Sequence, residues 1–191
     1  MPNWCQNIVT FKHEDAAQVT RLIEAFDAGR LLDEFVTCPK ELHEETPVGE
    51  DYAARDNARQ DENIEKFGYA SWYDWQVAHW GTKWDVDGEE GNADLTTPTS
   101  AKLYFDSAWS PPISFYEAMH DMGWDITAYY FEPGMNYCGL FEEGEDECIE
   151  IQGDSAWVRE NVPEDLDDAF DIAGMLEEYE TETEQEEDGS D

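Results

Sequence analysis

Tyr73–Val86, YDWQVAHWGTKWDV, with Asp106–Pro112, DSAWSPP, holds four of the eight tryptophans and decides how the rest of the chain is read. Trp72, Tyr73, Val77 and Trp80 share a helical face that stops at Gly81, and Thr82–Val86 is then predicted as a strand. Asp87–Asn92, DGEEGN, supplies turn chemistry. Ala101–Asp106 alternates Ala101, Leu103 and Phe105 against Lys102, Tyr104 and Asp106, so the two predicted strands are read as a hairpin with a loose connection.

Working outward, Asn7–Lys12 alternates like a strand buried on at least one face. From Asp15 a helix is predicted, with Val19, Leu22, Ile23 and Phe26 on one stripe and Gly29 at its end. Pro39 keeps the Thr37–Leu42 segment out of a central strand. Glu44–Lys66 is polar, with Pro47 and Gly49, and reads as an insertion carrying one short exposed helix near Tyr52–Glu65. Ser110 followed by two prolines signals a helix start, with the serine able to cap. Ile113, Tyr116 and Met119 line that helix, Gly123 ends it, and Trp124–Phe131 alternates as a long strand.

The resulting order, βαββαβ, predicts an α+β fold: a ferredoxin-like antiparallel sheet with helices on one face. Tyr137–Phe141 and Cys148–Ile151 flank Glu142–Glu147 as an added hairpin. A C-terminal amphipathic helix begins at Pro163 and carries Leu166, Phe170, Ala173 and Leu176 on one stripe. The expected organisation is therefore a ferredoxin-like domain over 1–152 with an insertion at about 44–68, an appended segment and helix over 153–176, and an acidic tail over 177–191, disordered or at most a fraying helical extension.

Charge is the other strong signal. The formal net charge of the 191 residues is -38, yet 40% are hydrophobic and 14% aromatic, too many large apolar groups for a disordered chain. Met1–Phe131 holds 25 acidic and 9 basic residues, whereas Glu132–Asp191 holds 23 acidic residues against Arg159 alone. Such a surface repels nucleic acid and anionic membrane and favours a basic protein partner. No stretch approaches the roughly 18 to 20 apolar residues of a membrane span and no leader pattern follows Met1, so a cytoplasmic protein is expected. Cys5, Cys38, Cys138 and Cys148 form no C-x-x-C pair and are read as reduced and mostly buried.

Four motifs in order, Met1-Pro2-Asn3-Trp4-Cys5-Gln6-Asn7, Pro39-x-Glu41-Leu42, Trp80-Gly81-Thr82-Lys83-Trp84-Asp85 and Ala108-Trp109-Ser110-Pro111-Pro112, resemble the YubB-type ferredoxin-like domain of phages, plasmids and other mobile elements. The resemblance covers roughly Met1–Phe131. It departs from the family where Cys38 and Lys40 flank a single Pro39. It implies the fold, a mobile-element setting and, inside a host, a cytoplasmic location; it implies no catalytic residues and no cofactor.

Two candidate regions follow. His79, Trp80, Lys83, Trp84, Asp85 and Trp109 could line a ligand cleft, flat apolar walls with polar tips; alternatively Trp84 and Trp109 fill the core between helix and sheet. The acidic last third, with Glu164, Asp165, Asp167, Asp168 and Asp171, could present carboxylates to a basic host or phage protein as a mimic of DNA. Adaptation to a saline cytoplasm, or a solubilising tail, would explain the same acids. Asp85, Asp87, Glu89, Glu90 and Asp94 fail the calcium-loop pattern, which needs glycine and glutamate where this chain has Glu90 and Thr96. The four histidines lack metal-ligand spacing, and no serine elbow or phosphate loop is present, so an enzyme is not expected.

Overall fold

Strand alternation decides which side chains the sheet buries. In the computed structural model, which describes residues 3–86, 88 and 91–188, with side chains through 182, β1 (Trp4–Lys12) buries Cys5, Asn7, Val9 and Phe11 on one face. It lies between β3 (Ser100–Ala108) and β4 (Asp125–Glu132), antiparallel to both. With β2 (Asn92–Thr97), β5 (Tyr137–Glu142) and β6 (Glu145–Glu150), these strands make a six-stranded antiparallel sheet in the order β2-β3-β1-β4-β5-β6. The molecule is thus a mixed α+β structure.

One face of the sheet presents Val9, Phe11, Leu103, Phe105, Ile126 and Ala128 to the main core. α1 (Ala16–Asp27), capped by the Asp15 carboxylate, contributes Val19, Leu22, Ala25 and Phe26. α5 (Ile113–Asp121) contributes Phe115, Tyr116 and Met119. Between these elements lie α2 (Leu31–Phe35), a 3-10 turn at Lys40–His43, α3 (Tyr52–Phe67) and α4 (Trp72–Trp80).

The opposite face is also covered, which corrects the expectation of helices on one face only. α6 (Ser155–Asn161), α7 (Glu164–Phe170) and α8 (Ile172–Asp188) pack Val158, Val162, Leu166, Ile172 and Ala173 against Phe131 and Cys138. The physical reason is visible in β4: Tyr129 and Phe131 are apolar groups on the side of the strand away from the main core, and they need a cover.

Three further expectations change. Thr82–Val86 is a loop and not a strand, because its polar groups are spent on other elements. Thr82 Oγ1 donates to the Ala108 carbonyl at 2.9 Å, and the Asp85 carboxylate accepts the backbone N–H groups of Leu32 and Asp33 at the start of α2. The hairpin partner of β3 is Asn92–Thr97 instead. The single helix expected from Pro163 is two, α7 and α8, preceded by α6, since Asp171 adopts a left-handed conformation (φ 53°) that ends α7, and the Asp167 carboxylate accepts from Ala173 N at 2.8 Å to start α8. Finally, α8 runs on beyond Glu177 as a helical extension, and it is tied down where composition predicts disorder or at most fraying. It is anchored by an Arg159–Glu177 ion pair and by Glu180, whose carboxylate accepts from the Ser155 backbone N–H at 2.7 Å and its hydroxyl at 3.0 Å. Of the residues weighed for calcium, Asp87, Glu89 and Glu90 lie outside the described residues, as do Met1 and Pro2 of the first motif and residues 189–191 of the tail.

Candidate functional site

α4 ends at Gly81, whose φ of 85° suits glycine, and a Cβ there would sit 3.0 Å from Ile113 N and 3.2 Å from the Pro111 carbonyl oxygen. This close approach joins the end of α4 to the start of α5. Ser110, expected as the α5 cap, has another role: its hydroxyl donates to the Gly81 carbonyl at 2.6 Å, and α5 begins without a side-chain cap. Residues 81–86 and 108–112 are thereby tied together, and Lys83 of the first lies over the rings of both Trp84 and Trp109. Gly81→Ala is expected to cost about 2 kcal/mol or more from the left-handed conformation and the backbone contact together, read as a lowered denaturation midpoint.

Trp84 and Trp109 do not fill the core. They are 40% and 43% exposed, and with Trp4 (42%) and Tyr73 (38%) they form an aromatic surface cluster. The Trp4 and Trp84 rings lie 6.3 Å apart, as do those of Tyr73 and Trp109. Lys83 sits among them, its Nζ 4.4 Å from the Trp84 ring centroid, 5.2 Å from Trp109 and 5.7 Å from Tyr73. Such cation–π contacts hold the ammonium at the aromatic faces.

Trp109 takes this position at a cost. Its φ is 70°, unusual for a bulky residue, and it is fixed by its own N–H donating to the Asn3 carbonyl and by Tyr137 OH donating to the Trp109 carbonyl. Trp109→Gly is expected to be more stable than Trp109→Ala by about 1 kcal/mol, because only glycine relieves the left-handed strain. Parallel urea titrations measure the difference.

Beside this cluster, a recess of about 250 Å³ is lined by His43, Trp72, Gln76, Trp80, Trp84 and Asp85. Trp80 is almost fully buried and donates from Nε1 to the Val36 carbonyl at 2.8 Å. The His43 and Trp72 rings are nearly parallel at 5.9 Å. Gln76 is 6% exposed, and its Oε1 has no hydrogen-bond partner among the described residues. Of the expected cleft residues, Trp80, Trp84 and Asp85 border this recess and Lys83 and Trp109 border the surface cluster. His79 belongs to neither: it stacks on Trp75 at 4.1 Å and bonds the Trp75 carbonyl through Nδ1. Sequence reasoning missed Trp4, Tyr73, Trp72, His43 and Gln76 as site residues; Trp72 and Gln76 stand four apart on α4, a spacing that places them on one face.

Burial pushes the Asp85 carboxyl up to about 6, against the three backbone N–H groups of Leu32, Asp33 and Val86 that hold it down. Burial raises Asp146 as well, opposed by the Tyr130 hydroxyl. A carboxyl whose folded pKa lies above its unfolded value binds its proton first in the folded state, so stability rises as pH falls from about 7 towards 4. For Asp85 the gain between pH 7 and 5 is about 1 kcal/mol, or about 2 to 4 °C in melting temperature. Calorimetry at fixed ionic strength should show that rise, and Asp85→Asn should flatten it.

The acidic candidates divide too. Glu164, Asp165, Asp168 and Asp171 are exposed, while Asp167 is partly buried and engaged in starting α8. Asp168, Phe170 and Asp171 border a groove of about 600 Å³ whose floor includes Ile8, Tyr104 and Asp106 of the sheet. Among the described residues no group of three or more His, Cys, Asp or Glu is arranged to hold a metal, and no helix is long and apolar enough to cross a membrane.

No family model matches the chain, and no curated protein does. A solved structure, that of a protein api92 from Yersinia pseudotuberculosis with the family name DUF1281, is similar at a TM-score of 0.41 and 13% identity, over 80% of this chain and 99% of that one. A likeness at that level carries no conclusion about fold or function, so the geometry above stands on its own.

Proposed function

We propose that this chain is a non-enzymatic protein-binding module for a basic partner, an accessory protein of a phage or mobile element that competes with nucleic acid for a DNA-binding protein. The observation that carries the protein-binding reading is the surface cluster of Trp4, Tyr73, Trp84 and Trp109 on a chain of net charge -38. Exposed tryptophan and tyrosine together are the side chains that dominate binding energy at interfaces. Exposed carboxylates of α7, Glu164, Asp165 and Asp168, and of Asp171 at its end supply long-range attraction for Lys and Arg. The fold that goes with this reading is a ferredoxin-like unit, β2-β3-β1-β4 with α1 and α5 as crossovers, extended by β5, β6 and the C-terminal helices.

Direct nucleic-acid binding on the sheet is disfavoured. Tyr129 packs into the second core, and Tyr104 shares its groove with Asp106, Asp168 and Asp171. A small-ligand or catalytic role for His79 with Lys83 and Asp85 is disfavoured by the separate engagement of His79. Adaptation to high salt makes a distinct prediction, that the fold needs molar salt and holds no partner.

Affinity capture from host extract tests the proposal. Basic proteins should be retained at low salt and released as salt rises, and Trp84→Ala should weaken retention about thirtyfold, the weight of a 2 kcal/mol hot spot. Retention of nothing basic, or retention indifferent to Trp84 and to the α7 carboxylates, would remove its basis.

A further inference from the structure

We propose that the recess beside α4 reads arginine: one guanidinium of the basic partner enters among Trp72, Trp80 and Trp84 and donates hydrogen bonds to Asp85 and Gln76. This deepens the protein-binding reading and rests on it for the source of the arginine. At about 250 Å³ the recess holds one side chain, and it falls below the roughly 300 Å³ at which drug-sized ligand sites begin.

Its lining chooses the chemistry. Among the described residues, three indoles and the His43 ring form flat walls, and one carboxylate and one amide line them, with neither Lys nor Arg. A planar, weakly hydrated cation with five N–H donors stacks on such walls and satisfies such acceptors, whereas an ammonium is a compact, strongly hydrated point charge.

Two observations show acceptor capacity waiting there. Gln76 Oε1 is buried without a donor among the described residues, a state that a native interior rarely tolerates. Among the described residues Asp85 accepts three backbone N–H bonds, and a carboxylate offers about four acceptor positions. Burial disfavours the charge on Asp85, and a guanidinium beside it would relieve that penalty. Lys83 does not fill the recess; it is held over the aromatic faces of the neighbouring cluster.

The test uses the full chain and N-acetyl-arginine amide, with N-acetyl-lysine amide and N-acetyl-citrulline amide as controls, followed through the indole N–H signals in NMR. Lysine carries the same charge as arginine, so it reports attraction to the acidic surface alone, and citrulline keeps the shape without the charge. The arginine probe should shift the Trp72, Trp80 and Trp84 signals saturably, at least about tenfold more tightly than either control. Gln76→Leu should weaken it about tenfold with the melting temperature unchanged or raised, since an unpartnered polar group is replaced by an apolar one. Equal shifts from lysine or citrulline, or undiminished arginine binding by Gln76→Leu, would overturn the assignment. If the recess fails while Trp84→Ala still releases a captured basic protein, protein binding stands without it. If the arginine probe binds but no basic protein is captured, the recess stands and the proposed function falls.

Discussion

Trp80→Ala is expected to destabilise the protein by about 3 to 5 kcal/mol, enough to unfold a marginal domain. Trp80 is 2% exposed, its ring meets Trp75 edge-on at 6.2 Å, and its Nε1–H satisfies the Val36 carbonyl. Truncation removes the indole from the main core and orphans that carbonyl, and little can collapse into the gap because α4 is held at Gly81 by the Ser110 bond. Trp84→Ala, four residues on, should cost only about 1 to 2 kcal/mol, since much of that ring already faces solvent. Trp80→Phe should fall between the two, keeping most of the volume and losing the hydrogen bond. Guanidinium titrations of the three variants rank them. A Trp84→Ala loss as large as that of Trp80→Ala would mean that Trp84 is core and would remove it from any binding surface.

That pair of tryptophans also marks how far the sequence could be read. Periodicity located α1, β1, β4 and the strand now seen as β3, because each buries a regular stripe and its pattern is local. It could not separate Trp80 from Trp84, since the difference depends on the reversal at Gly81 and on Asp85 reaching the start of α2, more than fifty residues away in the chain. Thr82–Val86 has the composition of a strand, and long-range polar contacts override it. The same limit hid the recess. His43 comes from the 3-10 turn and Gln76 from α4, and no spacing rule joins them. In the C-terminal third, acidity suggested a tail because like charges disfavour local order, but Glu177 and Glu180 each find a specific partner in α6.

Asn7→Leu should cost about 3 kcal/mol, although the two side chains are close in size, because it breaks a buried polar chain at its centre. Asn7 is 2% exposed; its Nδ2 donates to the Cys5 carbonyl at 2.8 Å and to Ser107 Oγ at 2.9 Å, and its Oδ1 accepts from Tyr116 OH at 3.1 Å. Ser107 in turn donates to the Ser110 carbonyl at 2.8 Å, and Ser110 to Gly81. The chain therefore runs from Tyr116 on α5 through Asn7 in the sheet and Ser107 at the end of β3 to the loops that carry Lys83 and Trp109. Leucine leaves the fully buried Tyr116 hydroxyl without an acceptor. Tyr116→Phe alone should cost about 1 to 2 kcal/mol by leaving Asn7 Oδ1 unpaired, but Asn7→Leu with Tyr116→Phe removes both ends and should recover about 1 to 3 kcal/mol relative to the sum. A double-mutant cycle in urea measures this coupling, and strict additivity would show that the bond contributes nothing. Restored stability in the double variant should not restore the surface cluster, because Ser107 still lacks the Asn7 donor. Retention of a basic partner should stay weakened there even as the melting temperature recovers, separating what the network does for the fold from what it does for the site.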